Sequence, residues 1–333
     1  MLKRGWLVGV ILGCVACAAG GATGPEATTN PVVAAAIEPP VGNDLVRGEW
    51  VYARFCATCH GDKGDGRGPT ADRYDAPLPR DFTKGKFEYR TTEGGQLPLR
   101  KDLMRTIQRG IPDTMMPAWG HVLPPSDVEA VAAYVETFSP RFAAEPEANR
   151  VVVNVPPEPP GFSASQIETG RLFFIAFRCW ECHGTRAEGN GPLAGTLKTD
   201  WKVPIRPADL TRRKHHSGPS ATDLYRTIAT GLEGTPMPMF KRTAAVGREG
   251  LSDLGEHVKD LDPADVTAVR NLLAKLPSQA EIDRSPDNVL DKMVEVRLWL
   301  LVGYVRSLQR SATPIDWLLL DDPQEETTRA EDR

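Results

Sequence analysis

The sequence predicts an all-α protein in which two tandem copies of one helical module are joined by a proline-rich linker. Helix-start signals and 3.6-residue apolar periodicity recur along the chain, whereas the alternation expected of strands is scarce. A Cys-x-x-Cys-His segment occurs twice, and short patterns around it recur in the same order each time. Between the copies, Ser139 to Gly161 holds Pro140, Pro146, Pro156, Pro157, Pro159 and Pro160. Proline removes backbone donors and fixes φ, so an extended, semi-stiff spacer is expected there.

A length of 333 residues accommodates about two domains. Hydrophobic residues at 41% and charged residues at 25% describe a globular chain, neither disordered nor collagen-like. A formal net charge of -4 leaves no global positive field, which argues against nucleic acid as the partner. Beyond the N-terminus no apolar run approaches the roughly 20 residues that span a bilayer.

Residues 1–20 have the layout of an export signal: Lys3 and Arg4 precede a short apolar core from Gly5 to Gly13, followed by small residues. Ile11-Leu12-Gly13-Cys14 has the form of a lipobox, and Cys17 is a second candidate for lipidation. Cleavage near Ala16-Cys17-Ala18 is the soluble alternative. Each version places the mature chain outside the cytoplasm, in the cell envelope or periplasm. The Ala-, Thr- and Pro-containing stretch at 21–42 reads as a tether and favours a membrane-anchored lipoprotein.

The first copy is expected at 43–139. It runs from Gly48-Glu-Trp-Val-Tyr52 through Cys56-Ala-Thr-Cys59-His60-Gly61 to Gly66-Arg-Gly68-Pro69, then Arg80-Asp81-Phe82-Thr83. Asp102 to Gly110 and Thr114-Met115-Met116-Pro117 follow. Ser126-Asp-Val-Glu129 is a capping box opening a helix over Asp127–Phe138, with Val128, Val131, Ala132 and Val135 on one face and Tyr134 near its centre.

After the linker at 140–164, the second copy is expected at 165–311 and answers the first in order. Ser165-Gln-Ile-Glu168 is a capping box leading into Gly170-Arg-Leu-Phe-Phe174 and Cys179-Trp-Glu-Cys182-His183-Gly184. Gly189-Asn-Gly191-Pro192, Ala208-Asp209-Leu210-Thr211, Asp223 to Gly231 and Thr235-Pro236-Met237-Pro238 then repeat the earlier patterns. An insertion over 241–287 departs from the first copy, with its own helix near Asp265–Leu276 behind an Asp262 N-cap and Pro263. It is expected to cover the second site or to form a docking surface. In the last helix Val296, Trp299, Leu300 and Val302-Gly303 share a face beside Tyr304. Residues 312–333 read as a solvated acidic tail.

Gly48, Gly170 and Gly303 lie inside otherwise good helices, where glycine costs about 1 kcal/mol relative to alanine. Close helix crossings explain them. Gly48 with Tyr52 is expected to meet the Tyr134 helix, and Gly170 with Phe174 the Tyr304 helix.

Cys56, Cys59, Cys179 and Cys182 are the only cysteines beyond Cys14 and Cys17, and each pair is followed at once by His60 or His183. A disulfide framework gives no reason for the histidines. Zinc pairs stand about 15–20 residues apart, far closer than these, and a thioredoxin-like pair accompanies a βαβ pattern that is not evident here. Two cysteines at i and i+3 can form thioethers with the vinyl groups of a haem while the next histidine reaches the iron, so each motif predicts a covalently attached c-type haem. Met116 and Met237 hold matching positions, each with threonine two residues before and proline after, and are the expected sixth iron ligands. Core filling is the ordinary use of a lone methionine. Met115 and Met239 are neighbouring alternatives, and His121 and His257 are rival ligands with no counterpart in the other copy. His215 and His216, beside Arg212-Arg213-Lys214, read as surface.

These residues resemble a tandem di-haem class I cytochrome c, over roughly 43–138 and 165–309. Both Cys-x-x-Cys-His-Gly motifs, the Gly-x-Gly-Pro loops, the Thr-x-Met-Pro segments, Arg80-Asp-Phe-Thr and Trp299-Leu-Leu-Val-Gly-Tyr304-Val carry the likeness. The resemblance implies compact α-helical domains, proximal ligation by His60 and His183, and electron transfer at an exposed haem edge. It also implies a redox protein as donor and another as acceptor, with a membrane respiratory complex as one setting. The competing class is a di-haem enzyme such as a peroxidase, which needs one open iron and acid–base groups beside it. A haem-based sensor is the third reading, ranked last because no attached signalling domain is read in the sequence. A basic stretch from Arg73 through Arg80, Lys84, Lys86, Arg90, Arg100, Lys101, Arg105 and Arg109 suits haem propionates, an acidic partner or solubility.

Overall fold

The computed structural model describes residues 44–73, 77–212, 216–218 and 220–309. The export signal with Cys14 and Cys17, the tether, His215 and the acidic tail lie outside the described residues. In chain order the helices are α1 (Asp44–Phe55), α2 (Ala57–His60), α3 (Arg100–Arg109), α4 (Pro125–Glu136) and α5 (Arg141–Ala144). Then come α6 (Ala164–Ala176), α7 (Cys179–His183), α8 (Ala221–Thr230) and α9 (Phe240–Thr243). Last are α10 (Pro263–Leu273), α11 (Gln279–Ile282) and α12 (Asp287–Leu308). Among the described residues there is no strand, only the isolated bridges Thr92–Val152 and Lys198–Pro204. This is the all-α class that the sequence predicts.

Two glycine-mediated crossings organise the helices as expected. On α1, a Cβ at Gly48 would collide with the Ala130 carbonyl and come within 2.9 Å of Tyr134 Cβ on α4. On α6, a Cβ at Gly170 would collide with the Leu300 carbonyl and sit 3.0 Å from Tyr304 Cβ on α12. Glycine permits the backbones to touch, and aromatic pairs fill the flanks: Tyr52–Tyr134 and Phe174–Tyr304, each at 5.4 Å between ring centroids. Gly303 serves another purpose, since the Phe162 ring lies 2.8 Å from where its Cβ would be.

Helix starts depart from the sequence expectation. Pro125 at the first helical position opens α4 behind Pro124, and Ser126 forms no capping box. The Asp127 carboxylate pairs instead with Arg47 of α1. At α6 the box is formed two residues earlier than expected, with Ser163 accepting from the Gln166 amide and Gln166 reaching back. In α12 the buried face includes Leu298, Trp299, Leu301, Val302 and Val305, whereas Val296 is exposed. The Asp262 cap with Pro263 forms as read, opening α10.

The linker is docked rather than held out as a spacer. Glu93 N donates to Val151 O at 3.0 Å, Val153 N donates to Thr91 O at 2.8 Å, and Arg150 Nη1 donates to Pro98 O at 2.6 Å. Proline rules out a long helix there, but β-branched Val151–Val153 find backbone partners and Val153 is buried in the C-terminal core. The insertion likewise packs inward. Ala244, Leu251, Leu254, Leu261, Val269 and Leu273 are buried in the same cluster as Phe173, Trp180 and Leu298, and Arg297 Nη1 donates to the carbonyls of Ala244 and Val246 at 3.0 and 2.7 Å. All described residues fall within one compact unit, Pro40–Arg333.

Candidate functional site

Cys56, Cys59 and His60 are gathered on one helical turn, where Cys59 N and His60 N donate to Cys56 O at 3.1 and 2.9 Å. Residues three apart in a helix share a face, so the two sulfurs are presented together. Gly61, at φ 77, ends the turn, and the glycine loop folds back over it. Gly66 N donates to His60 O at 2.9 Å and Gly68 N donates to Cys59 O at 3.0 Å, satisfying carbonyls that a helix end leaves open. The second motif repeats this construction: Gly184 has φ 81, Gly189 N donates to His183 O at 2.8 Å, and Gly191 N donates to Cys182 O at 3.0 Å.

Each histidine is oriented by a backbone carbonyl. His60 Nδ1 lies 3.3 Å from Arg80 O, and His183 Nδ1 lies 2.9 Å from Ala208 O. A carbonyl only accepts, so Nδ1 carries the proton and the Nε2 lone pair is left for a metal. Burial pushes the His60 imidazole down to about 4 and lowers that of His183, which keeps both rings neutral at pH 7. Phe82 stacks on His60 at 4.5 Å.

The carbonyls are aimed by the repeated x-Asp-x-Thr segments. Asp81 Oδ1 accepts from Thr83 N at 3.0 Å and from its hydroxyl at 2.5 Å. Asp209 Oδ1 accepts from Thr211 N at 3.0 Å and from its hydroxyl at 2.6 Å. The recurrence is visible in the sequence but this task is not, because the atom that faces histidine belongs to the main chain.

Among the described residues Cys56, Cys59, Cys179 and Cys182 form no disulfide. Burial pushes the Cys56 and Cys179 thiols up to about 12 and raises that of Cys182, opposite to the lowered value of a redox Cys-x-x-Cys pair. Among the described residues no group of three or more His, Cys, Asp or Glu side chains converges as a metal cage. The indole N–H of Trp180, on the second motif itself, is buried without a protein acceptor, as is that of Trp299. Thiols paired on one helical turn and a neutral imidazole with one open nitrogen at each motif, with an unspent buried donor at the second, fit a covalently attached porphyrin.

Met116 and Met237 are carried by one loop design. After Gly110, Ile111 N donates to Met116 O at 3.0 Å, the Thr114 hydroxyl donates to Ile111 O at 2.8 Å, and Met116 N donates to that hydroxyl at 3.1 Å. After Gly231 the same bonds join Leu232, Thr235 and Met237 at 3.2, 2.7 and 3.2 Å. Both glycines have φ 65, a left-handed conformation natural to glycine. The neighbours are placed differently: Met115 is 59% exposed, and Met239 packs on Gly94. His121 and His216 are exposed, and His257 lies 3.5 Å from Asp260.

Known proteins resemble the chain in part or over most of its length. Residues 43–135 match the family model described as cytochrome c oxidase, cbb3-type, subunit III. The chain is 32% identical over 92 residues to the cbb3-type cytochrome c oxidase subunit FixP of Azorhizobium caulinodans, a match covering 28% of this chain and 26% of FixP. It thus spans about a quarter of the length of that curated relative. It is also similar to a chain in the solved reducing HAO-like protein complex of Kuenenia stuttgartiensis, at 30% identity and a TM-score of 0.60. That alignment covers 82% of this chain and 100% of the other.

Proposed function

The chain is a c-type cytochrome, an electron-transfer protein with covalently bound haem, and from that premise we propose that it carries two such haems and passes electrons between redox proteins of the bacterial cell envelope. Cys56 and Cys59 would hold one haem and Cys179 and Cys182 the other, with His60 and Met116, and His183 and Met237, as the side chains that would bind the irons. Residues 43–139 and 165–311 are then the two haem domains, the second bearing the insertion at 241–287. The observation that supports this reading is the duplication of one construction: a cysteine–histidine turn, an Asp-held carbonyl on Nδ1, and a threonine-tied methionine loop.

A haem ligated in this way supplies one-electron exchange at its iron. The protein's part is to hold and exclude. Arg80 and Ala208 carbonyls fix the histidine tautomers, and the Met116 and Met237 loops would bring a soft neutral sulfur that favours the reduced state and excludes water from the iron. Irons held in this way would suit a carrier or the electron-accepting subunit of a redox complex; FixP is named as a subunit of a cytochrome c oxidase. No helix among the described residues is long and apolar enough to cross a membrane. Attachment to the envelope would come through a lipid on Cys14 or Cys17.

Optical and magnetic spectra of the purified protein in both oxidation states, with carbon monoxide and cyanide added, test the proposal. Two low-spin, methionine-ligated irons indifferent to both ligands are expected. A high-spin iron that binds them readily would favour a di-haem enzyme of the peroxidase type.

A further inference from the structure

The basic stretch of the first copy is not solvated along its length, for part of it grips the loop that carries Met237. Arg90 is 3% exposed, and its guanidinium is spent on three carbonyls: Phe87 O at 3.0 Å, Glu93 O at 3.3 Å and Thr230 O at 3.2 Å. Thr230 is the last residue of α8, immediately before Gly231 opens the methionine loop. A buried cation at a helix C-terminus is held by the helix dipole, and Glu233 at 3.7 Å balances its charge.

Arg80 takes the next part of the loop. Its guanidinium stacks on Trp201 at 4.7 Å, and both groups crowd Gly234, whose missing Cβ would lie 3.0 Å from Arg80 Nη1 and 2.5 Å from the Trp201 ring. Asp200 N donates to Gly234 O at 3.0 Å, and the Asp200 carboxylate pairs with Lys86. Beyond Met237, Met239 is seated on Gly94, and Lys241 Nζ pairs with Glu93 at 2.6 Å. Residues 80–94 therefore brace the Met237 loop before and after its methionine. The Met116 loop is more open, with Asp113, Met115, Pro117 and Ala118 exposed.

We propose that Arg90 and Arg80, though they belong to the first copy, are positioning residues for Met237, so that the second haem's potential is set partly from the first copy. This rests on the two-haem, methionine-ligated reading above. Loosening the brace weakens sulfur ligation, and losing ligation by a soft neutral sulfur favours the ferric state. The second midpoint potential should fall.

The test is a redox titration of the full-length holoprotein, following the methionine-to-ferric-iron charge-transfer band, with Met116→His and Met237→His assigning each midpoint. Arg90→Lys keeps the charge but loses the three-carbonyl fork. Arg90→Lys and Arg90→Met should each lower the second midpoint and weaken its band while the first midpoint stays put. Trp201→Leu, which leaves Arg90 in place, should shift the same midpoint and keeps the idea testable if the Arg90 variants do not fold. An unmoved second midpoint with full band strength, or a shift confined to the first centre, overturns the inference. If Met237→His leaves the wild-type spectrum unchanged, the underlying ligand reading fails instead, and this inference falls with it.

Discussion

His183 donates from Nδ1 to the carbonyl of Ala208 at 2.9 Å, and that bond decides which ring nitrogen is open to a metal. His60 and Arg80 stand in the same relation at 3.3 Å. In both places the next residue in the chain is an aspartate that holds the turn, Asp209 on Thr211 and Asp81 on Thr83.

Asp209→Ala should release the Ala208 carbonyl. The lost hydrogen bonds are worth about 0.5–1.5 kcal/mol each. A histidine without its acceptor is a poorer electron donor to metal, so the midpoint potential of the second centre should rise. Redox titration and thermal unfolding of the variant read both effects, and an unaltered potential would show that the carbonyl has no electronic role.

Alanine at Gly48 or Gly170 should drive α1 from α4, or α6 from α12, because the added carbon meets a backbone oxygen. A loss of about 1–3 kcal/mol or more is expected in chemical denaturation. Gly195→Ala, where nothing lies within 4 Å, should change stability by no more than about 0.5 kcal/mol. Equal effects at the three positions would contradict the crossings.

Tyr52 donates its hydroxyl to Gly61 O at 2.8 Å, and burial raises its pKa. The unfolded chain loses this proton near pH ~10 while the native state keeps it, so stability should be level below that pH and fall above it. Tyr52→Phe should cost about 1 kcal/mol at neutral pH and flatten the alkaline decline, as read by urea denaturation across the pH range. An alkaline slope identical to wild type would remove Tyr52 as its source.

Alanine at Met116 or at Met237 should open one iron per chain to carbon monoxide, whereas alanine at Met115 or Met239 should open none. Carbon monoxide titration of the reduced variants checks the choice of sulfur. Binding in the Met239→Ala variant equal to that in Met237→Ala would reassign the ligand.

Much of this was legible in the sequence where the cause is local. A Cys-x-x-Cys-His turn and the glycines at 48 and 170 depend on a few residues, and the structure holds the turns and the two crossings as the spacing implies, whereas Gly303 makes room for Phe162. Helix starts were harder, since Pro125 and Ser126 compete for one N-terminus and Asp127 finds Arg47 across the fold. The docking of Val151–Val153 and the fate of Arg80 and Arg90 depend on partners distant in the chain, which no periodicity encodes. The Arg80 and Ala208 carbonyls left no side-chain signature at all, though the aspartates holding them recur.

The intact mass of the mature chain, made in a host competent in cytochrome maturation, tests the two-haem proposal most directly. It should exceed the polypeptide by two haems, and by one when Cys179 and Cys182 are both replaced by alanine. A wild-type adduct of one haem, or of none, would contradict the proposal.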